Sequence, residues 1–357
     1  MTNAPATGTA DGPTEAPRGV DVPRVTTWFE ANVADVAPPL HFALIAGGRS
    51  NLTYRVTDAA GHAWVLRRPP LGQVLATAHD MGREHRIISA LAGTDVPVAP
   101  ALGLCTDEAV NGAPFYVMGF VDGLVARNAE AARALSVEAR ARAGRQVADV
   151  LARIHAVDPA AVGLGDLGRT EGYIERQLRR WYKQWQNSRT RELPVVDEVH
   201  DALAARIPEQ GPAAIVHGDY RLDNCLLTPD GTIAAVLDWE LCTLGDPLAD
   251  VGLLLVYWND REDTRAALME TSTTLEGFPS RAELIGMYAA QSGRDLSAVD
   301  YYRAFGYWKL ACIIEGVYAR YKGGVMGETS GFEGFALQVE LLANQAKAAV
   351  EGLTSPP

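Results

Sequence analysis

The sequence predicts an α+β protein with two lobes, because a strand-rich first part is followed by a helix-rich second part. Up to residue 119, short runs rich in β-branched and aromatic residues alternate with turn residues, a pattern that is typical of strands. After residue 123, long stretches carry apolar residues at every third or fourth position, as amphipathic helices do. A chain of 357 residues is long enough for both lobes.

Amino-acid composition predicts the first domain boundary. Residues 1–22 are mainly Ala, Gly, Pro, Thr and acidic residues, with almost nothing to bury, which predicts a disordered tail. Residues 23–119 are expected to form the N-terminal lobe. Residues 120–357 are expected to form a connecting segment and the helical C-terminal lobe.

The first lobe is predicted to be a sheet with one prominent helix. Its strands are indicated by the runs FALIAGGRSNLTYRVTD, HAWVLRRPP, VPVAPALGLCTD and PFYVMGFVDG. Between the second and third runs, Met81, Ile88 and Leu91 recur at helical spacing, and Glu84 shares their face. An inward-facing glutamate is therefore expected on this helix.

A hairpin is predicted in the second lobe. The segment LLTPDGTIAAVLD has the turn residues Pro229, Asp230 and Gly231 between two apolar stretches. Because antiparallel strands of similar length return the chain to its starting edge, Asn224 and Asp238 should lie side by side.

The hairpin would place two oxygen-bearing side chains at one edge, a donor set that suits Mg²⁺. This cation prefers one or two carboxylates together with substrate phosphates. Asp219, five residues before Asn224, could orient an acceptor hydroxyl and take its proton during phosphoryl transfer. A solvated loop that is acidic by chance is the alternative, and it has to explain the spacing, the hairpin and Glu84 together.

Charge and cysteine usage exclude several classes of protein. The net charge of −12 disfavours nucleic acid and anionic membranes as partners. Four widely spaced cysteines form no CxxC pair, which argues against zinc and disulfide scaffolds. No signal peptide and no apolar run of roughly 18 residues is present, so a cytoplasmic protein is expected. Nothing in the sequence indicates an oligomeric state.

Together, HGDYRLDN, LDWE and GDPLAD resemble the aminoglycoside phosphotransferase and choline kinase family. WVLRRPP, REHRIISAL and PFYVMGFVDG most resemble the kinase-like domain that is fused to acyl-CoA dehydrogenases in animals. The resemblance implies a protein-kinase-like two-lobed fold, with ATP and Mg²⁺ as cofactors.

The resemblance also implies roles for individual residues. Asp219 would be the catalytic base, and Asn224 and Asp238 would bind the metal. Glu84 would pair with a cation that grips the phosphates, and Arg67 occupies that position where most relatives have lysine. Strand alternation lets only one of the two neighbouring arginines reach the site, and Arg68 is the less favoured choice.

Two backbone segments complete the implied nucleotide site. AGGRSN would form the loop over the phosphates, through Gly47, Gly48, Ser50 and Asn51, although paired glycines alone are a common hairpin turn. The connecting backbone at Gly119, Phe120 and Val121 would contact adenine.

The function implied is an ATP- and Mg²⁺-dependent phosphotransferase that acts on a hydroxyl group of a small molecule, with hydroxyacyl-CoA as one candidate acceptor. The alternative is an inactive kinase-like protein that binds nucleotide or acyl-CoA, suggested by the arginine in place of lysine. Aminoglycosides are less favoured as acceptors if a basic stripe lines the pocket, although such stripes are usually solvated. The stripe consists of Arg176, Arg179, Arg180 and Lys183.

Overall fold

The computed structural model of the chain describes residues 17–46, 51–71, 80–263, 272–324 and 333–353. The chain divides into two compact units. Unit 1 comprises the described residues up to Arg86 together with Pro100–Phe120, and unit 2 comprises Ile87–Ala99 and the described residues from Val121 onward.

Unit 1 is built on a five-stranded antiparallel sheet. Its strands are β1 (His41–Ala46), β2 (Leu52–Thr57), β3 (Ala63–Arg68), β4 (Ala101–Cys105) and β5 (Phe115–Gly119). They lie in the order β1-β2-β3-β5-β4. The helices α1 (Val22–Asn32) and α3 (Glu108–Asn111) also belong to this unit, while α2 (Met81–Leu91) begins in it and ends in unit 2.

The core of unit 1 lies between α1 and one face of the sheet. Phe29 of α1 packs edge to face against Trp64 of β3, with ring centroids 5.9 Å apart. Asp21 caps α1 by accepting a hydrogen bond from the backbone N–H of Arg24 at 3.2 Å. Proline at the start of the helix supports the same boundary.

Residues 17–22, which were predicted to belong to the disordered tail, are held by contacts in unit 1, and residues 1–16 lie outside the described residues. Val20 is 8% exposed and belongs to the core of unit 1. The hydroxyl of Tyr54 donates to the carbonyl of Arg18 at 2.5 Å. Composition missed these contacts because a single valine and backbone carbonyls hold this segment.

Unit 2 is mainly helical. Its helices are α4 (Ala129–Ala132), α5 (Val137–Ala156), α6 (Tyr173–Ser188), α7 (Pro194–Ala204), α8 (Leu248–Tyr257), α9 (Arg281–Ser292), α10 (Val299–Lys322) and α11 (Glu333–Glu351). Two small antiparallel sheets interrupt them, β6 (Ala214–Val216) with β9 (Thr243–Gly245) and β7 (Cys225–Leu227) with β8 (Ile233–Val236). The predicted α+β class is confirmed.

Helix α10 forms the centre of unit 2. It packs against α6, α7, α8 and α11, and most of its residues between Val299 and Gly316 are buried on every side. Tyr301, Phe305 and Trp308 are core residues. Lys309 of this helix also contacts the segment that follows β6.

Candidate active site

The segment that carries Asp219 begins where β6 ends. Gly218 has φ +86°, and an added Cβ there would lie 2.8 Å from the carbonyl oxygen of Leu241. Only glycine fits this conformation and this close approach. The local chain path before Asp219 is thus set by backbone geometry.

His217 braces this segment through both ring nitrogens. Its Nε2 donates to the carbonyl of Leu237 at 2.9 Å. Its Nδ1 accepts from the backbone N–H of Asp219 at 3.3 Å. These partners fix the ring proton on Nε2 and give His217 a structural role.

Asp250, near the start of α8, fixes the same segment by accepting hydrogen bonds from the backbone N–H groups of that segment. Its carboxylate accepts from the backbone N–H of His217 at 2.6 Å and from that of Gly218 at 2.8 Å. His155 Nε2 lies 3.3 Å from the same carboxylate. Asp250 is 1% exposed, so these bonds replace the water that a buried carboxylate loses.

The hairpin of β7 and β8 brings the two expected metal ligands to one edge. Cys225 pairs with Val236 in the ladder. The backbone N–H of Leu237 then donates to the carbonyl of Asn224 at 2.8 Å, which extends the pairing by one residue on each strand. Asp238 follows Leu237 directly, so Asn224 and Asp238 stand at the same end of the hairpin.

The side chain of Asn224 is oriented by its neighbour Asp219. Its Nδ2 donates to the Asp219 carbonyl at 2.8 Å and to the Asp219 Oδ2 at 3.1 Å. Because the amide nitrogen is engaged, the amide oxygen is the atom left to bind a cation. Asp238 has φ 65° and ψ 63°, a left-handed conformation that is uncommon outside glycine and that often marks a functional residue.

The Asp219 carboxyl lies among opposing charges. Burial raises the pKa of Asp219 above its ordinary value, and the positive charges of Arg221 and Lys309 oppose that rise. The Nε of Arg221 lies 3.6 Å from Asp219 Oδ2, and its NH1 lies 3.3 Å from Asp223 Oδ2. Asp219 is therefore half-buried and paired.

Two cations at this site were missed by sequence reasoning. Arg221 packs over the ring of Tyr257 at 4.7 Å, and Lys309 donates from Nζ to the carbonyl of Gly218 at 3.1 Å. Arg221 stood within the quoted motif, two residues after Asp219. Lys309 is the single charged residue in the run AFGYWKLACII, and a charge in such a run has to find a buried partner.

In unit 1 the structure pairs Arg67 with Glu84. The Nε of Arg67 lies 3.0 Å from Glu84 Oε2, with 12% and 3% of the two side chains exposed. The Tyr116 hydroxyl donates to the same Oε2 at 3.0 Å, and Asn51 Nδ2 donates to Oε1 at 2.9 Å. Tyr116 reaches this position because it stands opposite Arg67 across β3 and β5.

Arg68 lies on the other face of β3, as strand alternation predicts. Its side chain is directed to the carbonyls of Gly19 and Asn111, and the residue is 5% exposed. Of the two adjacent arginines, Arg67 is therefore the one that meets Glu84.

The remaining expected nucleotide contacts are placed only in part. Gly47, Gly48 and Ser50 lie outside the described residues. The N–H groups of Gly119 and Phe120 donate within unit 1, to the carbonyls of Pro100 at 2.8 Å and Ala63 at 3.4 Å. The N–H groups of these two residues are therefore already engaged in hydrogen bonds.

The basic stripe on α6 does not act as one surface. The guanidinium of Arg180 lies 5.1 Å from the ring centroid of Trp181, and the Lys309 ammonium lies 5.6 Å from that centroid. Arg179 and Lys183 instead line a groove with His200. Only part of the stripe is therefore near the segment that carries Asp219.

The described residues contain no cluster of three or more histidine, cysteine or acidic side chains that could hold a metal alone. A site with one carboxylate and one amide matches the preference of Mg²⁺ for completing its shell with water and substrate phosphates.

Of the helices that the structure describes, none combines the length and the apolar character that a membrane span needs.

Comparison with known proteins identifies the family. Residues 41–284 match the model of the phosphotransferase enzyme family, APH. The chain is 35% identical over 286 residues to mouse acyl-CoA dehydrogenase family member 10, covering 79% of this chain and 27% of that protein. The chain belongs to the phosphotransferase enzyme family, and the expected resemblance to the kinase-like part of such dehydrogenase family members is confirmed. It spans about a quarter of that relative's length.

Solved structures agree on the fold. A protein from Ralstonia eutropha JMP134, provisionally named an aminoglycoside phosphotransferase, is 32% identical with a TM-score of 0.79, and the match covers 94% of this chain and 99% of that one. Spectinomycin phosphotransferase in complex with ADP and spectinomycin is 13% identical with a TM-score of 0.59, and the match covers 92% and 98%. The kinase-like fold is therefore confirmed.

Proposed function

We propose that this protein is an ATP- and Mg²⁺-dependent phosphotransferase that phosphorylates a hydroxyl group of a small molecule. The observation that carries the proposal is the hairpin that sets Asn224 and Asp238 at one edge, with Asp219 bonded to Asn224, in a chain of the phosphotransferase family. The solved structure of spectinomycin phosphotransferase with ADP and spectinomycin, which has a similar fold, supports nucleotide use and a small acceptor.

The residues present fit the expected metal. The amide oxygen of Asn224 and the carboxylate of Asp238 are the hard oxygen donors that Mg²⁺ prefers, and the amide nitrogen is turned toward Asp219. When bound, Mg²⁺ supplies positive charge that offsets the charge of the nucleotide phosphates. In unit 1, Arg67 is the proposed cationic partner of the phosphates, held by Glu84.

The transfer step assigns one proton and one leaving group. The acceptor oxygen forms a bond to the γ-phosphorus of ATP while its proton passes to the carboxylate of Asp219. The bond from the γ-phosphorus to the bridging oxygen breaks, and ADP leaves with that electron pair. Because the transition state is loose, positioning and charge neutralisation account for most of the catalysis.

Arginine at position 67 motivates a second candidate, an inactive protein that binds nucleotide or acyl-CoA. Its partner Glu84 is nevertheless present and paired with it at 3.0 Å. Asp219, Asn224 and Asp238 are also all present, although a protein without catalysis has no chemical need for the three together. Phosphoryl transfer is therefore the function that the site supports better.

An acceptor panel tests the proposal. The purified protein, with ATP and Mg²⁺, is incubated with hydroxyacyl-CoA thioesters, sugars, amino alcohols or aminoglycosides, and ADP release is followed. Hydroxyacyl-CoA thioesters are included because the mouse relative is named an acyl-CoA dehydrogenase family member. We expect acceptor-dependent ADP release that Asp219→Asn removes. ADP binding without transfer to any acceptor in the panel would favour the second candidate.

A further inference from the structure

Lys309 is a charged residue in the core of unit 2. It lies near the middle of α10, between Trp308 and Leu310, and is 8% exposed. Burial lowers the pKa of its ammonium group, and the negative charges of Asp219 and Asp250 oppose that effect. A buried ammonium is costly unless it is hydrogen-bonded and paired, so its partners indicate why it is there.

The partner of Lys309 is a backbone carbonyl. Its Nζ donates to the carbonyl oxygen of Gly218 at 3.1 Å. That carbonyl belongs to the peptide group that joins Gly218 to Asp219. The N–H of the same peptide donates to His217 Nδ1 at 3.3 Å. The peptide leading into Asp219 is thus bonded at both its oxygen and its nitrogen.

Glycine makes this fixation necessary. Gly218 has φ +86° and no Cβ, so its backbone can adopt conformations of either sign of φ. The peptide after it could rotate and redirect the backbone that carries the Asp219 side chain. Asp250 holds the N–H groups of His217 and Gly218, but it does not contact the carbonyl of Gly218. Lys309 is the group that holds that oxygen.

We propose that Lys309 is a positioning residue, whose ammonium fixes the Gly218–Asp219 peptide so that the Asp219 carboxylate stays in its working orientation. The inference rests on the proposed function of Asp219 as the base. A charged donor is suited to this task because a charge-assisted hydrogen bond is roughly twice as strong as a neutral one. The negative charges of Asp219 and Asp250 also favour the charged form of Lys309.

Lys309→Met tests the inference, since methionine keeps the length of the apolar stem and removes the ammonium. The matched control is Arg191→Met, which removes a cation that lies between α6 and α7 and pairs with Glu315 of α10 at 3.0 Å. Both variants disturb the same helix, but the described contacts of Arg191 do not include residues 217–219.

The first readout needs no acceptor. Hydrogen exchange of the Asp219 amide should accelerate at least about tenfold in Lys309→Met and less than about twofold in Arg191→Met, after correction for global stability. Binding of ADP with Mg²⁺ should change less than about twofold in both variants. Equal exchange at Asp219 in the parent and in Lys309→Met would overturn the inference.

The second readout uses turnover with the acceptor that gives most ADP release. Lys309→Met should lower kcat by about 10- to 100-fold and leave the KM for ATP within about twofold, because orientation and not binding is lost. In Lys309→Ala, added propylammonium should restore part of kcat, and propanol should not. An increase in the KM for ATP with unchanged kcat, or equal rescue of kcat by propanol, would contradict a positioning role.

The two proposals can fail separately. If the parent phosphorylates no acceptor, the proposed function fails, and hydrogen exchange still decides whether Lys309 fixes the peptide. If Asp219→Asn keeps its turnover while Lys309→Met accelerates exchange, the peptide contact stands and the assignment of Asp219 as the base is wrong.

Discussion

The two units assemble their charged groups by different means. In unit 1, Arg67 and Glu84 meet through long side chains from a strand and a helix, and Asn51 and Tyr116 complete the contact. In unit 2, backbone hydrogen bonds position the charged and polar groups. The pairing of the hairpin strands aligns Asn224 with the residue before Asp238, and hydrogen bonds to the backbone fix the segment before Asp219.

This difference predicts different responses to substitution. A contact between side chains can lose one partner while its neighbours adjust, so binding should weaken by degrees. A group that is positioned by backbone hydrogen bonds has no neighbour that can take over its role, so its replacement should abolish its chemical function. Four substitutions examine this contrast, starting with the largest expected effect.

Asp219→Asn should lower kcat about a thousandfold, because the amide cannot accept the acceptor proton. The dissociation constant for ADP with Mg²⁺ should change less than about threefold. The matched control is Asp223→Asn, which also removes an acid paired with Arg221 and should cost less than about tenfold. Steady-state turnover and calorimetric titration measure the two quantities. Parental kcat in Asp219→Asn would contradict the assignment of the base.

Asp250→Asn should lower the free energy of unfolding by about 3 kcal/mol, because an amide cannot accept from both backbone N–H groups and from His155 as the carboxylate does. Asp230→Asn, at an exposed turn, should cost about 0.5 kcal/mol or less. Denaturant unfolding provides both values. A similar loss in the two variants would mean that Asp250 does not anchor the segment.

Arg67→Met should raise the KM for ATP about tenfold and change kcat less, since a phosphate contact is removed and the base is retained. Arg67→Lys should lie between the parent and Arg67→Met, because it keeps the charge without the fork. The neighbour Arg68 supplies the control: Arg68→Met should lower stability, as its partners are carbonyls of unit 1, and leave the KM for ATP unchanged. A KM for ATP in Arg67→Met equal to that of the parent would remove Arg67 from the nucleotide site.

Asp58→Asn examines a purely structural contact of unit 1. Burial raises the pKa of Asp58, but hydrogen bonds from Ala37 and His62 outweigh it and lower the value from 3.8 to about 2. A lowered carboxyl pKa gives stability that is present above pH 3.8 and is lost as the pH falls toward 2. The variant should therefore be less stable than the parent at pH 6. Its denaturant midpoint should decrease less than that of the parent as the pH falls from 3.8 to about 2. An identical decrease of the denaturant midpoint with falling pH in the parent and the variant would contradict this expectation.

Local patterns were enough to predict much of the fold. The turn residues of the hairpin and the alternation in β3 depend on neighbours along the chain, and the structure has both as expected. The inward direction of Glu84 also followed from helical spacing, and Glu84 is 2% exposed. These features come from the covalent periodicity of helices and strands.

Contacts between distant segments could not be predicted. Lys309 and Gly218 are separated by 91 residues, and they meet only because α10 packs near the segment that follows β6. The amide of Asn51 donates to Glu84, a contact that likewise depends on how α2 packs on the sheet. Sequence spacing carries no information on either distance.

We propose that Asn224 and Asp238 together bind one divalent cation with a nucleotide. Crystals grown with ADP and Mn²⁺ test it directly, because anomalous scattering locates the manganese. We expect a manganese peak within coordination distance of the Asn224 amide oxygen and the Asp238 carboxylate, and we expect this peak to be lost in Asp238→Ala. A manganese peak bound to ADP but to neither residue would contradict it.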